Sequence, residues 1–451
     1  MRCRPGAAQA TLTAAGNDEG TDVKRVLGLD RSAADIASAT PAGRDRYLDL
    51  LRALAISAVV LGHWLIAVVW LRDGQLQASA ALDMEPATHW LTWIVQVMPI
   101  FFLVGGAVNA RSWRATRASG GSWAAWVSRR GARLLRPTTV LVWFWVLIGP
   151  AALVAGVDRD LIRLGAGNAL VPLWFLAVYL LLIVLVPALL AAHERFGLAL
   201  PAVLLIVAAA IDAVSVDQVH LLNYLVVWSV PTVLGFHWID GGFDRRALGT
   251  GMPVLSMGAL LAAVTWFGYP VSMVGLAGGD GPNTPSVALA LLGCVQAGTA
   301  HALRAPLTRW LERPRAWVAV VRLNMVAMTV YLWHLTVMVL VIGVLPATGS
   351  WWSVAPLSAG WWLTRPLWIL GLAILLTPVV TVLAPIEHST PGPAGRRTTG
   401  SMAGAAVVAA AAIAELTLGG VLGWMAVVAT LGLTGAAAHS GAFRVRSEVL
   451  R

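Results

Sequence analysis

Apolar runs of about 20 residues recur along almost the whole of this 451-residue chain. A helix of that length crosses the hydrocarbon core of a bilayer, and it satisfies its backbone hydrogen bonds within itself. Hydrophobic residues make up 58% of the chain and charged residues only 12%, whereas about 25% of an ordinary globular chain is charged. The sequence therefore predicts an all-α fold, a polytopic transmembrane helix bundle whose first partner is the lipid bilayer.

The apolar runs predict ten membrane spans. These cover residues 48–70, 91–110, 139–157, 171–191, 199–215, 220–239, 252–270, 286–303, 323–345 and 365–385. A further apolar region, 402–438, is too long for one span and is interrupted by Glu415, Gly419 and Gly420. It predicts two short helices or a re-entrant hairpin at the C-terminal end of the bundle.

The chain accordingly divides into three parts. Residues 1–45 are polar and contain neither an amphipathic period nor the apolar core of a signal peptide, so we expect a disordered cytoplasmic N-terminal lead. Residues 46–390 are the transmembrane domain. Residues 391–451 contain the apolar hairpin and a basic tail.

Loops rich in arginine alternate with loops that contain few charges, and this pattern predicts the orientation of the chain in the membrane. The connection from Arg111 to Arg136 holds seven arginines and no acidic residue, and 304–322 holds five arginines and one glutamate. By contrast, 271–285 holds one aspartate and 346–362 holds no charge. Because basic loops stay inside, we expect a multi-pass protein of the plasma membrane with a cytoplasmic N-terminus. The net charge of +10 is then mostly topogenic and does not indicate a nucleic-acid partner.

The first span contains Arg52 and His63, eleven residues apart, together with Asp49. Eleven residues make three helical turns plus about 20°, so both side chains lie on one face, roughly 16 Å apart along the axis. With Arg52 at the membrane edge, His63 falls near the midplane. Ionisable residues inside a membrane mark functional sites by default, and histidine moves protons at neutral pH. The alternative is that Asp49 and Arg52 form a solvated helix start and His63 makes an interhelical hydrogen bond.

The ninth span contains YLWH, from Tyr331 to His334. His334 falls at a depth that matches His63, so the two imidazoles are expected to line one cavity. The alternative is that His334 and Tyr331 only hydrogen-bond across the bundle.

The segment SRRGARLLRP precedes the third span and places Arg130, Arg133 and Arg136 three residues apart. That spacing predicts one side of a helix, and clustered guanidinium groups bind phosphate well. The alternative is the positive-inside signal, which explains the number of arginines but not their spacing. The two cysteines, Cys3 and Cys294, have no metal-ligand spacing, and we expect no metal.

Three segments together resemble the acyltransferase type 3 family of integral membrane acyltransferases. They are YLDLLRALAISAVVLGH, which is similar to the family's D-x-x-R…H pattern; MPIFFLVGGAVNA followed by SRRGARLLRP; and YLWHLTVM. The resemblance covers residues 45–390. The chain departs from the family pattern at Gly105, where the family commonly has Ser in its FF-x-x-S-G segment.

The resemblance implies transfer of an acyl group, often acetyl from acetyl-CoA, to a hydroxyl of a glycan, lipid or secondary metabolite. Three residues are then expected to be catalytic: His63 as general base, Arg52 on a phosphate or the thioester carbonyl, and His334. The expected acyl-CoA-binding residues are Arg130, Arg133 and Arg136, and the expected supporting residues are Asp49, Tyr331, Phe101, Phe102 and Gly105. Direct transfer and an acyl-histidine intermediate both remain open.

Two other functions remain as alternatives. Ten or more spans with polar residues near the midplane also suit an exporter or flippase for a lipid-linked or small polar molecule. The sequence shows no visible internal repeat, which such transporters often have. A non-catalytic membrane scaffold is the third reading, and it leaves the alignment of Arg52 with His63 unexplained.

Overall fold

The computed structural model describes residues 41, 43–72, 75–214, 216–275, 285–344, 354–388 and 397–443. Most of the predicted N-terminal lead and the basic tail after residue 443 lie outside these residues. Helices dominate the described part. Those of ten residues or more are α1 Arg46–Ile66, α2 Met98–Ala118, α3 Trp123–Val154, α4 Arg159–Leu170, α5 Leu173–Phe196, α6 Ala199–Asp212, α7 Asn223–Ile239, α8 Met252–Trp266, α9 Val287–Trp310, α10 Pro314–Met325, α11 Ala327–Val344, α12 Ala359–His388, α13 Thr399–Leu418 and α14 Trp424–His439.

Ten helical stretches of the described chain are long and apolar enough to cross a membrane. The predicted fold, a polytopic helix bundle, is therefore confirmed. The apolar region 402–438 forms two helices, α13 and α14, which pack against each other. The prediction of two short helices is correct only for α14, because α13 has 20 residues and is itself one of the ten stretches long and apolar enough to span a membrane.

The first and the fifth predicted spans are shorter in the structure than expected. The first span, expected to reach residue 70, ends at Ile66, because Ala67–Arg72 is a strand paired antiparallel with Gln75–Ala80. The β-branched and aromatic residues of AVVW favour extended backbone there. The fifth span, expected at 199–215, is the 14-residue helix α6. At 1.5 Å per residue it is about 21 Å long, shorter than a ~30 Å hydrocarbon core.

Glycines bring α2 and α7 into close contact. A Cβ atom at Gly106 would fall on the backbone carbonyl of Thr232, and one at Gly235 would fall on the carbonyl of Leu103. Small residues at such positions let two membrane helices approach until their backbones touch. This contact fixes α2, the helix that contains the Phe101–Phe102 pair.

The helix α1 contacts the end of α10 and runs in the same direction as α11. Near its start, the backbone carbonyl of Asp49 accepts a hydrogen bond from Asn324 at 2.9 Å, and near its end Trp64 donates to the carbonyl of His334 at 3.1 Å. This alignment brings the predicted histidines of two distant segments together.

The C-terminal helices pack on α3 and α5. Ser128 donates to the carbonyl of Ser440 at 2.8 Å, and the indole of Trp143 donates to Thr434 at 3.0 Å. The hairpin therefore covers one side of α3, the helix that contains the arginine cluster.

Candidate functional site

His63 and His334 form a direct pair. Nδ1 of His63 lies 2.9 Å from Nε2 of His334, and the two rings stack with centroids 5.2 Å apart and an interplanar angle of 13°. His334 is fully buried, whereas His63 is partly exposed. The structure thus brings together two imidazoles that lie 271 residues apart in the sequence.

The hydrogen bonds around the pair fix its tautomers when both rings are neutral. Nδ1 of His334 lies 2.7 Å from the carbonyl oxygen of Tyr331. A carbonyl only accepts, so this nitrogen holds the proton and Nε2 of His334 has a lone pair. Nδ1 of His63 must therefore donate to it. Nε2 of His63 then holds a lone pair, and no group of the described chain hydrogen-bonds to it.

Indole and phenol groups hold the pair in place. Trp64 donates to the carbonyl of His334, and Trp368 donates to the carbonyl of Trp64 at 3.0 Å. The hydroxyl of Tyr331 donates to the carbonyl of Pro172 at 3.0 Å, at the break between α4 and α5. The phenol of Tyr331 thus has a structural partner, and its backbone carbonyl orients His334.

The end of α1 leaves His63 reachable from one side. His63 is in the last turn of α1, and the chain continues from Ala67 as a strand. The neighbouring helix α11 continues for ten residues beyond His334. His63 itself keeps part of its surface exposed here, whereas His334 is fully buried. The position of the pair near the midplane of a membrane stays a prediction.

Arg52 is held at the other end of the α1 face. Its Nε donates to Oδ1 of Asn324 at 2.6 Å, and its Nη2 contacts Asp49 at 3.3 Å. Its side chain is 35% exposed, and Nη1 has no acceptor among the described residues. The guanidinium is thus fixed by two partners and keeps one edge open. The role of Asn324 was not predicted, because only its contact across helices reveals it.

The three predicted arginines of α3 do not stay together. Arg130 is partly buried, with its guanidinium 5.8 Å from the centre of the Trp126 ring and within electrostatic range of Arg52 and Arg133. Arg133 is exposed. Arg136 is buried and donates to the carbonyl of Ala442 in the C-terminal segment.

Helix geometry explains the separation of Arg136. A step of three residues turns the helix by about 300°, so two such steps leave Arg136 about 120° from Arg130. Arg136 therefore faces the C-terminal hairpin, whereas Arg130 stays within electrostatic range of both Arg133 and Arg52.

A row of aromatic rings lies between the arginines and the histidine pair. Phe101 and Phe102 contact Phe175 edge-on, with ring centroids 4.7 and 5.2 Å apart. Phe175 in turn contacts Tyr331 at 5.6 Å and stacks on Tyr179 at 5.5 Å. The predicted FF segment thus reaches the histidine pair through Tyr331.

Gly105 makes room for Tyr179. A Cβ atom at this position would lie 2.6 Å from Cε2 and 3.0 Å from the hydroxyl oxygen of Tyr179. A serine at this position would need the space that the phenol ring fills. Glycine at position 105, where the family commonly has Ser, therefore leaves the space that the Tyr179 ring of α5 occupies.

A second group of histidines, which sequence reasoning missed, lies where α2, α5 and α7 end. Nε2 of His193 is 2.9 Å from Asp240, Arg114 donates to Asp240 at 2.6 Å, and the ring of His237 packs edge-on against His193 with centroids 4.2 Å apart. Burial opposes the charged form of Asp240, but the hydrogen bonds from Arg114 and His193 lower the pKa of its carboxyl below the usual value. These residues come from the ends of three helices, so no local spacing in the sequence indicated the whole cluster.

No group of three or more metal-ligating side chains occurs within the described residues. The side chains at the site offer an open imidazole nitrogen on His63, the positioned guanidinium group of Arg52 and the partly buried Arg130.

A family model described as "Acyltransferase domain" matches residues 45–384. The match covers more than half of the chain and includes every predicted site residue, whereas α13 and α14 lie beyond it. Neither the curated proteins nor the solved structures include a match to the chain.

Proposed function

Because the chain belongs to the acyltransferase type 3 family and is a multi-pass membrane acyltransferase, we propose that it is an O-acyltransferase. It would move an acyl group, most simply acetyl, from acyl-CoA to a hydroxyl of a glycan, glycolipid or secondary metabolite. His63 is the general base. The observation that supports this proposal most directly is the open Nε2 nitrogen of His63, whose lone pair is set by His334 and the Tyr331 carbonyl.

The reaction follows from that tautomer. The acceptor hydroxyl gives its proton to Nε2 of His63 while its oxygen attacks the thioester carbonyl. A carbon–oxygen bond forms, the carbon–sulfur bond breaks, and the thiolate of coenzyme A leaves and takes the proton from His63. A positioned base contributes about 10²–10⁴-fold to such a rate. His334 accepts the hydrogen bond from Nδ1 of His63 throughout, so it orients the base and stabilises the transient imidazolium ion.

The arginines fit the donor. Arg52 and His63 lie eleven residues apart on α1, which corresponds to about 16 Å along the helix. Coenzyme A carries phosphates at one end and its thioester at the other end of an extended arm. Arg52, Arg130 and Arg133 would bind the phosphates, with the thioester beside His63. Arg136, buried against Ala442, would contribute by holding α3 to the C-terminal hairpin rather than by binding the donor.

The orientation is part of the proposal. Coenzyme A is a cytoplasmic anion, and the arginine-rich loops predict that the end of the bundle near Arg52 faces the cytoplasm. The N-terminus would then be cytoplasmic and the membrane the plasma membrane. Reporter fusions to the loops at 119–122 and 155–158 test this, since the first should report a cytoplasmic location and the second an external one.

The function is tested with the purified full chain in lipid nanodiscs. Acetyl-CoA labelled in its acetyl group is supplied with an extract of lipids and small metabolites from the source cells, and free thiol is measured. We expect thiol release that depends on the extract, with label in a product that mild base hydrolyses, as an ester does. Absence of extract-dependent thiol release contradicts the proposal. Label that survives mild base contradicts transfer to oxygen.

A further inference from the structure

Asn109 and Tyr179 form an incomplete hydrogen-bonding pair beside the arginine cluster. Nδ2 of Asn109, on α2, donates to the hydroxyl oxygen of Tyr179, on α5, at 3.3 Å. Asn109 is only 2% exposed, and its Oδ1 has no hydrogen-bond partner within the described chain. A buried acceptor without a donor is costly, so its presence calls for an occupant.

The pair offers one donor and one acceptor side by side. The Tyr179 oxygen already accepts from Asn109, so its own proton is free to be donated, while Oδ1 of Asn109 is free to accept. Turning the Asn109 amide over gives the same total, because Tyr179 would then donate to Oδ1 and accept from the occupant, and Nδ2 would donate to it. Either arrangement complements a secondary amide, which has one N–H and one carbonyl.

The position of the pair fits a ligand that runs from the arginines to the histidines. Tyr179 lies within electrostatic range of Arg130, and its ring fills the space beside Gly105. On its other side Tyr179 stacks on Phe175, whose ring contacts Tyr331. The side chain of Tyr179 is partly exposed, unlike that of Asn109.

We propose that Asn109 and Tyr179 bind an amide of the pantetheine arm of the acyl donor, the amide nearer to the phosphates. This inference rests on the proposed function. The pantetheine chain is comparable in length to four residues of extended peptide, about 14 Å, which matches the separation of about 16 Å between Arg52 and His63 along α1. Arginine side chains hold the phosphates, the Asn109–Tyr179 pair holds the adjacent amide, and the thioester reaches His63.

The test compares acetyl-CoA with an analogue in which that amide is replaced by an ester. The ester keeps the carbonyl but lacks the N–H group that Asn109 would bind. We expect the wild-type KM to be roughly tenfold higher for the ester analogue, as the loss of one buried hydrogen bond implies. Asn109→Leu should raise the KM for acetyl-CoA by a similar factor and should no longer distinguish the two donors. Equal discrimination in wild type and Asn109→Leu overturns the proposal.

A second variant keeps the test decisive if Asn109→Leu does not fold. Tyr179→Phe removes only the hydroxyl and should raise the KM for acetyl-CoA by roughly five- to tenfold with kcat unchanged. Tyr269→Phe is the matched control, because the Tyr269 hydroxyl binds Asp212 at 3.1 Å, apart from this site. A Tyr179→Phe enzyme with the wild-type KM overturns the proposal.

Two further outcomes separate the sources of failure. Acetyl-phosphopantetheine, which shares the arm with coenzyme A and with acyl carrier proteins, should depend on Asn109 and Tyr179 in the same way. If its KM responds to neither variant while that of acetyl-CoA does, the donor is recognised by its nucleotide and the amide assignment fails. If wild-type protein consumes no donor, the proposed function fails. If the wild-type protein consumes acetyl-CoA and its ester analogue with equal KM, only the assignment of the Asn109–Tyr179 site fails.

Discussion

Among the described residues two pairs of histidines pack ring against ring, and they differ in whether a substrate can reach a ring nitrogen, which a general base needs. His193 has a carboxylate partner, Asp240, but its ring is buried, with His237 packed on it and Nδ1 enclosed without a partner. His63 has no carboxylate partner within the described residues, but its Nε2 is open. The two pairs lie at opposite ends of α5, since Pro172, beside Tyr331, and His193 are separated by about 30 Å of helix.

For a general base, access to a ring nitrogen matters more than which group is bonded to the other nitrogen. A histidine–aspartate contact resembles part of a hydrolase triad, yet the contact at His193 ties together the ends of three helices through Arg114 and Asp240. The His63–His334 pair uses a second imidazole and a backbone carbonyl in place of the carboxylate. We therefore propose proton transfer at the His63–His334 pair and a structural role for the His193–His237 pair, and four predictions test that division.

The largest effect is expected from His63→Gln. This change removes the open imidazole nitrogen, so kcat should fall by about 10²–10⁴-fold while the melting temperature stays near that of wild type. The measurement is acceptor-dependent release of coenzyme A by purified protein. His193→Gln is the matched control and should keep activity within roughly threefold, because its ring does not reach the substrate. Wild-type activity in His63→Gln together with a large loss of kcat in His193→Gln would contradict the proposal that His63 is the general base.

A smaller loss is expected from His334→Phe. The phenyl ring keeps most of the buried volume but no longer accepts the proton of His63 Nδ1, so His63 loses its preferred tautomer and orientation. Loss of an orienting partner typically costs about 10- to 100-fold in activity, and we expect that loss in kcat. Thr336→Val, which removes the acceptor of the Trp145 indole two residues further along α11, controls for disturbance of the buried helix. Wild-type kcat in His334→Phe would show that His63 needs no second imidazole.

An effect on substrate binding rather than on turnover is expected from Arg130→Gln. Loss of one charge-assisted contact with phosphate should raise the KM for acetyl-CoA by about tenfold and leave kcat nearly unchanged. Arg114→Gln is the counterpart at the second histidine pair, where the arginine already binds Asp240 and Glu194. Its KM should equal that of wild type. Equal KM increases in both variants would indicate a general effect of positive charge.

The smallest effect concerns the stability of the second pair. The pKa of Asp240 is lowered in the folded protein, so its carboxylate stabilises the fold above the ordinary value of 3.8 and this contribution is lost as the pH falls through the lowered value. Asp240→Asn should therefore have a lower melting temperature than wild type at pH 7, and the difference should shrink below pH 4. Kinetic constants at pH 7 should not change. A melting difference that is constant with pH contradicts the assigned role of Asp240.

Sequence reasoning succeeded where one helix contains the information. The shared face of Arg52 and His63 follows from helical periodicity, and the family pattern identified YLWH as the second segment. It could not foresee that Asn324 would hold Arg52 or that the backbone of Tyr331, rather than its phenol, would orient His334. Those contacts depend on how α1, α10 and α11 align, which no spacing within one segment records.

Two other differences have equally specific causes. Residues three apart on a helix are rotated by about 60° relative to each other. Arg136 therefore lies about 120° from Arg130, and it faces the C-terminal hairpin. The cluster around His193 was missed because its members belong to three helices and lie up to 126 residues apart, the separation of Arg114 from Asp240. Contacts between the ends of different helices produce no repeating pattern within any one segment of the sequence.

The central claim is that His63 and His334 act as one catalytic unit, and a double-mutant cycle on kcat tests it most directly. The variants are His63→Gln, His334→Phe and the combination of both, with melting temperatures measured in parallel. Since His334 acts only through His63, the double variant should be no slower than His63→Gln alone, within roughly threefold. A double variant whose loss equals the product of the two single losses would contradict the account, because the two histidines would then contribute independently.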